Sequence, residues 1–258
     1  MFVIGERING MYKAVREAIS QQNSDFIKDL AKEQIAAGAD ALDITVGPVK
    51  GDAKEYMKWL VNTVSSAVDA PLCIDSPHPD IIEVGVKEAT GRTIINSLKK
   101  SPEHLEKLIP LARDNESDLI CLLMTDSGIP HDINGKLEVA VELIEAVMMG
   151  GVEPSHIYFD PILLPVKNAQ KDVADTFELM DQLRILTDPP PNMIVGLSNL
   201  SQKAKYRSLL NRTYCTMAMS HGLTAAIVDP LDEKLMKSIK TADILLDREL
   251  YAKSYLKG

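Results

Sequence analysis

The sequence contains little cysteine. Its three cysteines, Cys73, Cys121 and Cys215, are far apart and odd in number. No Cys-x-x-Cys or Cys/His pair has the spacing of zinc ligands, and three thiols cannot build a disulfide framework. We therefore expect no bound metal, buried free thiols at Cys73 and Cys121 within strands, and a reducing, cytoplasmic location.

Long apolar runs and basic runs are also absent. No apolar stretch approaches the roughly 20 residues that a membrane helix needs, and the charged Glu6 comes too early for the apolar core of a signal peptide. Aromatic residues make up only 5% of the chain and never alternate with a basic run, and the formal net charge of -9 repels phosphate backbones. These absences argue against a membrane protein and against nucleic-acid binding.

What the sequence does contain is a series of short apolar runs rich in valine, isoleucine and leucine. Runs that are apolar throughout, without strict alternation, are typical of strands buried on both faces of a parallel sheet. Eight strands are predicted: Phe2–Arg7, Ala41–Gly47, Pro71–Ser76, Thr93–Leu98, Asp118–Met124, Ile157–Leu164, Met193–Ser198 and Ala225–Asp229.

Between these runs lie segments in which apolar residues recur with helical periodicity. Eight helices are predicted: Asp25–Ala37, Ala53–Val68, Pro79–Ala89, Pro102–Arg113, Leu137–Met149, Asp172–Leu186, Gln202–His221 and Glu233–Leu250. Strict alternation of strand and helix implies a parallel sheet, and eight units suit a closed barrel of roughly 250 residues. An open doubly wound sheet is disfavoured because no G-x-G-x-x-G pattern follows the first strand. The predicted fold is an α/β (β/α)8 TIM barrel, a single domain over 1–258.

Polar residues gather where the predicted strands end, which is where barrels of this kind bind ligands. An aspartate after a strand is often only a turn former or a helix N-cap. A whole ring of such side chains is harder to explain in that way, and five form it: Asp43, Asp75, Asn96, Asp160 and Asn199. Carboxylates and amides together suit a flat heterocycle with several N–H donors. A divalent metal such as Mg²⁺ is the competing ligand, and the mixture with amides favours the heterocycle.

Six segments near the strand ends together resemble one protein family. They are Gly5–Gly10, Ala41–Gly47, Ile74–Ser76, Ile95–Ser97, Phe159–Pro161 and Gly196–Gln202. In order and spacing they are similar to the pterin-binding TIM barrels, specifically the methyltetrahydrofolate:corrinoid (iron-sulfur) protein methyltransferases. The resemblance covers essentially the whole chain. It departs at Thr45, which keeps a hydroxyl where many members of the family have an asparagine amide.

The resemblance implies a role for each matching position. Asp75, Asn96 and Asp160 would hydrogen-bond the pterin ring, and Asn199 would be the catalytic residue that reaches folate N5. Six further positions would line the folate pocket: Glu6, Asp43, Gly196, Ser198, Gln202 and Arg207.

The activity implied by the resemblance moves the N5 methyl group between methyltetrahydrofolate and the cobalt of a corrinoid (cobalamin) carried by a partner protein, in either direction. Relatives in glycine betaine or phenyl methyl ether demethylation systems use it to form methyltetrahydrofolate. The resemblance also implies a homodimer, with Met217, Met219, Met236 and Tyr251–Leu256 as candidate interface residues. Packing of helices on the barrel is the simpler explanation of these apolar residues.

Two alternatives stay open at this point. Dihydropteroate synthase shares the pterin-binding barrel, but the late-strand lysine and Ser-Arg/His motifs of its pyrophosphate site are missing from Met193–Asn199 and Ala225–Pro230. A barrel that only holds folate for a partner would keep the pterin ligands but would not need Asn199. A methionine-synthase-like reaction would require a homocysteine zinc site, which the three cysteines do not provide.

Overall fold

The computed structural model describes residues 1–248 and shows a closed barrel of eight parallel strands. Each strand pairs with its neighbour in sequence, and the first strand closes the ring against the eighth. The strands are β1 Phe2–Asn9, β2 Ala41–Thr45, β3 Leu72–Asp75, β4 Thr93–Lys100, β5 Asp118–Thr125, β6 Ile157–Asp160, β7 Asn192–Gly196 and β8 Ala225–Val228. The predicted fold class is confirmed.

Within the described residues, ten α-helices accompany the strands and the connections between them. They are α1 Lys13–Ser20, α2 Ser24–Ala36, α3 Ala53–Ser65, α4 Pro79–Glu88, α5 Pro102–Asp114, α6 Ile133–Met149, α7 Gln170–Leu183, α8 Leu197–Leu200, α9 Arg207–Ser220 and α10 Glu233–Leu245. All eight predicted helices are present, with shifted ends, whereas α1 and the single turn α8 were not predicted.

The sixth strand is shorter than its apolar run predicts. It ends at Asp160 and not at Leu164. Pro161 has no amide hydrogen to donate to a ladder, and Ile162 adopts a positive φ of 62° that turns the chain. The turn leaves Asp160 as the last residue of the strand.

The seventh strand also ends early, at Gly196. Ser198, predicted to end that strand, lies in the helical turn α8. The helix that was predicted to start at Gln202 begins at Arg207. The polar segment from Gly196 to Arg207 is therefore a loop with one helical turn at its start.

Helices α1 and α10 also differ from the helix prediction. The first helix, α1, buries only three residues, which is too short an apolar stripe to separate from a loop by periodicity. The last helix, α10, ends at Leu245 and not at the predicted Leu250. The interface candidate Tyr251–Leu256 lies outside the described residues.

Alternate strand residues face the barrel interior, and the residues between them face the helices. A small apolar cluster fills the interior with Ile4, Ala41, Cys73, Ile94, Ile120, Tyr158, Ile194 and Ala225. Two residues further along their strands, on the same side, five of these positions are followed by Glu6, Asp43, Asp75, Asn96 and Asp160. The fold therefore places four of the five predicted ring residues, together with Glu6, directly above an apolar floor, whereas the fifth, Asn199, lies in α8.

Further expectations from the sequence concern the cysteines, three methionines and membrane helices. All three cysteines are buried, with Cys73 and Cys121 in β3 and β5 as predicted. Met219 is fully buried in the core and Met236 packs against it, whereas Met217 is 48% exposed. Among the described residues, no helix is both long enough and apolar enough to cross a membrane.

Candidate ligand site at the barrel mouth

One half of the site is a hydrogen-bonded cluster on β2, β3 and β4. Thr45, Asp75 and Asn96 lie level with each other because the strand register pairs Thr45 with Asp75 and Asp75 with Asn96. The Thr45 hydroxyl lies 2.6 Å from Asp75 Oδ2 and 3.2 Å from Asp43 Oδ2. Asn96 Nδ2 donates to Asp43 Oδ1 over 3.1 Å. A single hydroxyl hydrogen thus stands between two carboxyl groups.

Burial makes ionisation of these two carboxyl groups unfavourable. Burial, reinforced by the negative charge of Asp75, raises the pKa of Asp43 to about 8. Burial also raises the pKa of Asp75, although its hydrogen bond from Thr45 partly offsets the effect. The cluster therefore retains a proton near neutral pH more readily than two exposed aspartates would.

Asp160 approaches from β6, across the barrel interior from β2. Its Oδ1 accepts the Ile162 backbone N–H over 2.7 Å, so the turn after the strand fixes the carboxylate. Burial raises the pKa of Asp160 to about 6. The buried Lys136 on α6 donates its Nζ to the Pro161 carbonyl over 2.8 Å. This lysine holds the turn that presents Asp160.

The other half of the site joins β1 to the segment after β7. Ser198 Oγ donates to Glu6 Oε1 over 2.6 Å, between residues 192 positions apart in sequence. Burial raises the pKa of Glu6, and the hydrogen bond from Ser198 works against that rise. Arg207 donates through Nε to Ser201 Oγ and through Nη2 to the Ser198 carbonyl, over 3.2 and 3.4 Å.

Asn199 and Gln202 are exposed above this second half. Gly196 lies beneath Asn199, since a Cβ added at Gly196 would come within 3.3 Å of Asn199 Nδ2. The structure therefore brings Asp43, Asp75 and Asn96 into direct hydrogen bonding, whereas Asp160 and Asn199 stand apart from that cluster.

The sequence pattern indicates no role for two residues of this arrangement. In the sequence Thr45 is only a departure from a family pattern, yet its hydroxyl links the two aspartates. Lys136 carried a signal that could have been found, because it occupies the same helical stripe as the buried Val139, Ala140 and Leu143. A lysine in an apolar stripe needs a specific partner.

The chemistry of these groups suits a planar polar ligand. Carboxylate oxygens accept hydrogen bonds, and the Asn96 amide can both accept and donate. Within residues 1–248, no three histidine, cysteine or carboxylate side chains are grouped so that they could hold a metal ion. The carboxylate acceptors and the Asn96 amide fit a heterocycle with several N–H donors.

Comparison with known proteins agrees with this geometry. The sequence model of the family described as pterin binding enzyme matches residues 6–229. The chain belongs to this family. The match begins at Glu6, within β1, and ends at Asp229, so it includes every residue named above at the site.

Relatives of this pterin-binding enzyme include a methylcorrinoid:tetrahydrofolate methyltransferase and two methionine synthases. A methylcorrinoid:tetrahydrofolate methyltransferase of Eubacterium limosum is 29% identical over 260 residues, covering 100% of this chain and 96% of the relative. The methionine synthases of Mycobacterium leprae and Mycobacterium tuberculosis are each 28% identical over 240 residues. The alignment covers 88% of this chain but only 20% of either synthase, so the chain spans about a fifth of their length.

Solved structures confirm the fold of this pterin-binding enzyme. Dihydropteroate synthase from Xanthomonas albilineans in complex with 7,8-dihydropteroate superposes with a TM-score of 0.66 at 17% identity, over 95% of this chain and 92% of that one. The same synthase with 4-aminobenzoic acid gives a TM-score of 0.70 at 17% identity, over 97% and 94% of the two chains. At 17% identity, this similarity shows the barrel fold and carries no information about function.

Proposed function

We propose that this pterin-binding enzyme moves a methyl group between the N5 atom of tetrahydrofolate and the cobalt of a corrinoid carried by a partner protein. The observation that carries the proposal is the similarity along the full chain to a methylcorrinoid:tetrahydrofolate methyltransferase. The direction in that relative's name, from methylcorrinoid to tetrahydrofolate, is the physiological direction that we propose. The carboxylates in the barrel and the exposed Asn199 above them fit this reaction.

Asp75, Asn96 and Asp160 would bind the pterin ring. A reduced pterin offers several N–H donors and one carbonyl, which match two carboxylates and one amide. Ionised carboxylates in a buried site lack the hydrogen bonds that water would give them, and a donor-rich ring restores these bonds. Asp43 would support them from below, because it is buried and accepts a hydrogen bond from Asn96.

Asn199 is our proposed residue at N5. In the proposed direction the N5 lone pair attacks the methyl group, the electron pair of the cobalt–carbon bond stays with the metal, and the N5 proton leaves to solvent. In reverse, N5 has to gain a proton as the methyl group leaves, because an amine anion is a poor leaving group. An asparagine amide can hydrogen-bond N5 in both states and so stabilises the transition state.

The rest of the folate would extend over the second half of the site. Glu6 and Ser198 are hydrogen-bonded to each other at the rim, and the exposed Arg207 and Gln202 follow within one loop. Gly196 would leave room for the ligand and for the Asn199 amide. In this arrangement the Arg207 guanidinium would lie near the aminobenzoate group.

The two alternative functions fit the chain less well than methyl transfer does. The dihydropteroate synthases share the fold, but the late strands of this chain provide no pyrophosphate site. A folate-binding barrel without catalysis would leave the exposed Asn199 without a role. The corrinoid reaction accounts for both features.

We further propose that the enzyme is a cytoplasmic homodimer. Leu245 on α10 and Met217 on α9, which packs against α10, are 80% and 48% exposed, and large apolar side chains exposed on one face are typical of protein contacts. Three buried free cysteines agree with a reducing compartment. Sedimentation velocity of the purified protein measures the oligomeric state, and a monomer at micromolar concentration would contradict the dimer.

An anaerobic spectroscopic assay tests the methyl transfer. Purified protein, tetrahydrofolate and methylcobalamin are mixed, and the loss of methylcobalamin is followed with the wild type and with Asn199→Ala. We expect kcat to fall on the order of 100-fold in the variant, as for other lost transition-state hydrogen bonds. The dissociation constant of tetrahydrofolate should change little, because the pterin ligands are intact.

Asn168→Ala is the matched control, because Asn168 is an exposed asparagine on the neighbouring loop after β6. It should leave the rate unchanged. If the wild type binds tetrahydrofolate but transfers no methyl group in either direction, with free cobalamin or with a corrinoid protein, the methyltransferase proposal is wrong. Equal rates in Asn199→Ala and the wild type would remove Asn199 from the mechanism.

A further inference from the structure

One part of the chain has no acidic residue although the protein as a whole is acidic. The chain contains 37 Asp and Glu residues, yet none lies between Asp188 and Asp229. The same segment contains Lys203, Lys205, Arg207 and Arg212. Three of these four cations lie together in the connection from α8 to the start of α9. The charge of this connection is therefore opposite to that of the protein as a whole.

The connection borders the candidate site. It follows the turn α8, whose Ser198 bonds Glu6, and Arg207 donates back to the Ser198 carbonyl over 3.4 Å. The loop after β6 joins the same edge, because the Val166 backbone N–H donates to the Leu200 carbonyl over 2.9 Å. That bond brings Lys167 to this side of the mouth. We call Lys167, Lys203, Lys205 and Arg207 the basic rim.

The side chains of the basic rim are exposed, and its lysines form no ion pair with any carboxylate of the described residues. Two other cations at the mouth are neutralised within the protein. Arg7 pairs with Asp229 over 3.1 Å, and Lys99 pairs with Asp126 over 2.8 Å. The basic rim therefore leaves positive charge available to a ligand beside the pocket.

We propose that the basic rim binds the carboxylates of the folate tail, so that the enzyme prefers folates that carry several γ-linked glutamates. The inference rests on the function proposed above. With the pterin ring between Asp75, Asn96 and Asp160, the aminobenzoyl-glutamate has to leave through the mouth. Each added glutamate contributes a negative charge, which the basic rim attracts and the aspartates elsewhere on the mouth repel.

Direct binding measurements test this inference. Dissociation constants are measured at low ionic strength for tetrahydrofolate with one, three and five glutamates, and for a tetrahydropterin without a tail. An exposed ion pair contributes about two- to fivefold in affinity. We expect the pentaglutamate to bind roughly 10-fold more tightly than the monoglutamate, and salt to reduce this gain.

The variant Lys203→Gln/Lys205→Gln should lose most of this gain and bind the tetrahydropterin as the wild type does. The matched control is Lys32→Gln/Lys240→Gln, which removes the same charge from exposed positions within α2 and α10, outside the loops of the mouth, and should keep the gain. A tail length without effect in the wild type, or a gain that survives in Lys203→Gln/Lys205→Gln, overturns the inference.

A competing use of the basic rim is to dock an acidic surface of the corrinoid protein. That use would raise the KM for the corrinoid protein in Lys203→Gln/Lys205→Gln and leave all folate affinities equal, which also overturns the inference. Failure of the tetrahydropterin itself to bind would instead contradict the proposed function. The two failures are therefore distinguishable in one set of titrations.

Discussion

Asp43 illustrates the conflict between stability and ligand binding in a single side chain. It is buried, it shares the Thr45 hydroxyl with Asp75, and burial raises its pKa to about 8. An unfolded chain would hold this carboxyl group at its ordinary pKa of 3.8. Between these two values the folded state binds the proton more tightly than the unfolded state. Stability contributed by the protonated group is therefore lost as pH rises through this window.

We predict that Asp43→Asn stabilises the protein near pH 8. The variant keeps an oxygen that can accept from Asn96 and gains an amide donor, but it carries no buried charge. The free energy of unfolding should rise by about 1–2 kcal/mol at pH 8, the usual gain from relieving a functional site, and by less at pH 5. Urea denaturation at both pH values measures the difference. Folate binding should weaken in the same variant.

Asp69→Asn is the control for this prediction, because Asp69 is an exposed aspartate away from the mouth. Its free energy of unfolding should follow that of the wild type at each pH. If Asp43→Asn shows the same pH dependence of stability as the wild type, the pKa of Asp43 is not raised in the folded state.

At the scale of elements, the sequence predicts all eight strands because each is a compact apolar run. It does not predict where β6 and β7 end, because those ends depend on backbone turns and not on hydrophobicity. Ile162 shows this, since nothing in an isoleucine signals its positive φ of 62°. The short helix α1 is missed for the related reason that three buried residues are too few to define a period.

The sequence predicts the part of the candidate site that depends on the alternation of side chains along a strand. Asp43, Asp75 and Asp160 were identified because each sits at a strand end, and each lies two residues beyond an apolar interior position. The link through Thr45 and the clamp by Lys136 were not predictable in this way. Each is a contact between elements, and such contacts depend on strand register and on helix placement.

Two glycines where β1 and β2 end are a further constraint at this scale. A Cβ added at Gly10 would lie 1.9 Å from the Val46 backbone oxygen, and Gly47 has a φ of +70°. The Gly10 backbone N–H also donates to the Thr45 carbonyl over 2.8 Å. The ends of β1 and β2 can approach this closely only because residue 10 is a glycine, which has no side chain.

We predict that Gly10→Ala destabilises the protein and weakens the site. The obstructing atom is backbone, so β2 has to move and take Thr45 with it. Overpacking of this kind costs about 2–3 kcal/mol, which lowers the melting temperature by roughly 5–10 °C in a chain of this size. Differential scanning calorimetry measures the shift. Gly91→Ala is the control, since nothing lies within 4 Å of its added Cβ. An unchanged melting temperature in Gly10→Ala would show that β2 can move without a loss of stability, which contradicts the prediction.

At the scale of the whole molecule, the site exists only because the barrel closes. Glu6 and Ser198 are 192 residues apart in sequence and are hydrogen-bonded because β1 pairs with β8, which in turn pairs with β7. The seam between the first and last strands is also tied by Arg7 and Asp229. No strand of a closed barrel has a free edge, so none can leave without breaking two ladders.

This closure predicts that folate stabilises the whole barrel and not only the strands that touch it. A ligand at 100 times its dissociation constant stabilises the folded state by about 2.7 kcal/mol, so amides that exchange by global unfolding should exchange about 100-fold more slowly. The slowing should be equal in β1 and β8 and in β3 and β4, although the proposed pterin ligands lie mainly on the latter. Hydrogen exchange with and without tetrahydrofolate measures this, with Asp75→Asn at the same ligand concentration as the control of weakened binding. Slowing confined to β2–β6 would mean that the barrel opens in parts, and a single cooperative domain would then be the wrong description of the chain.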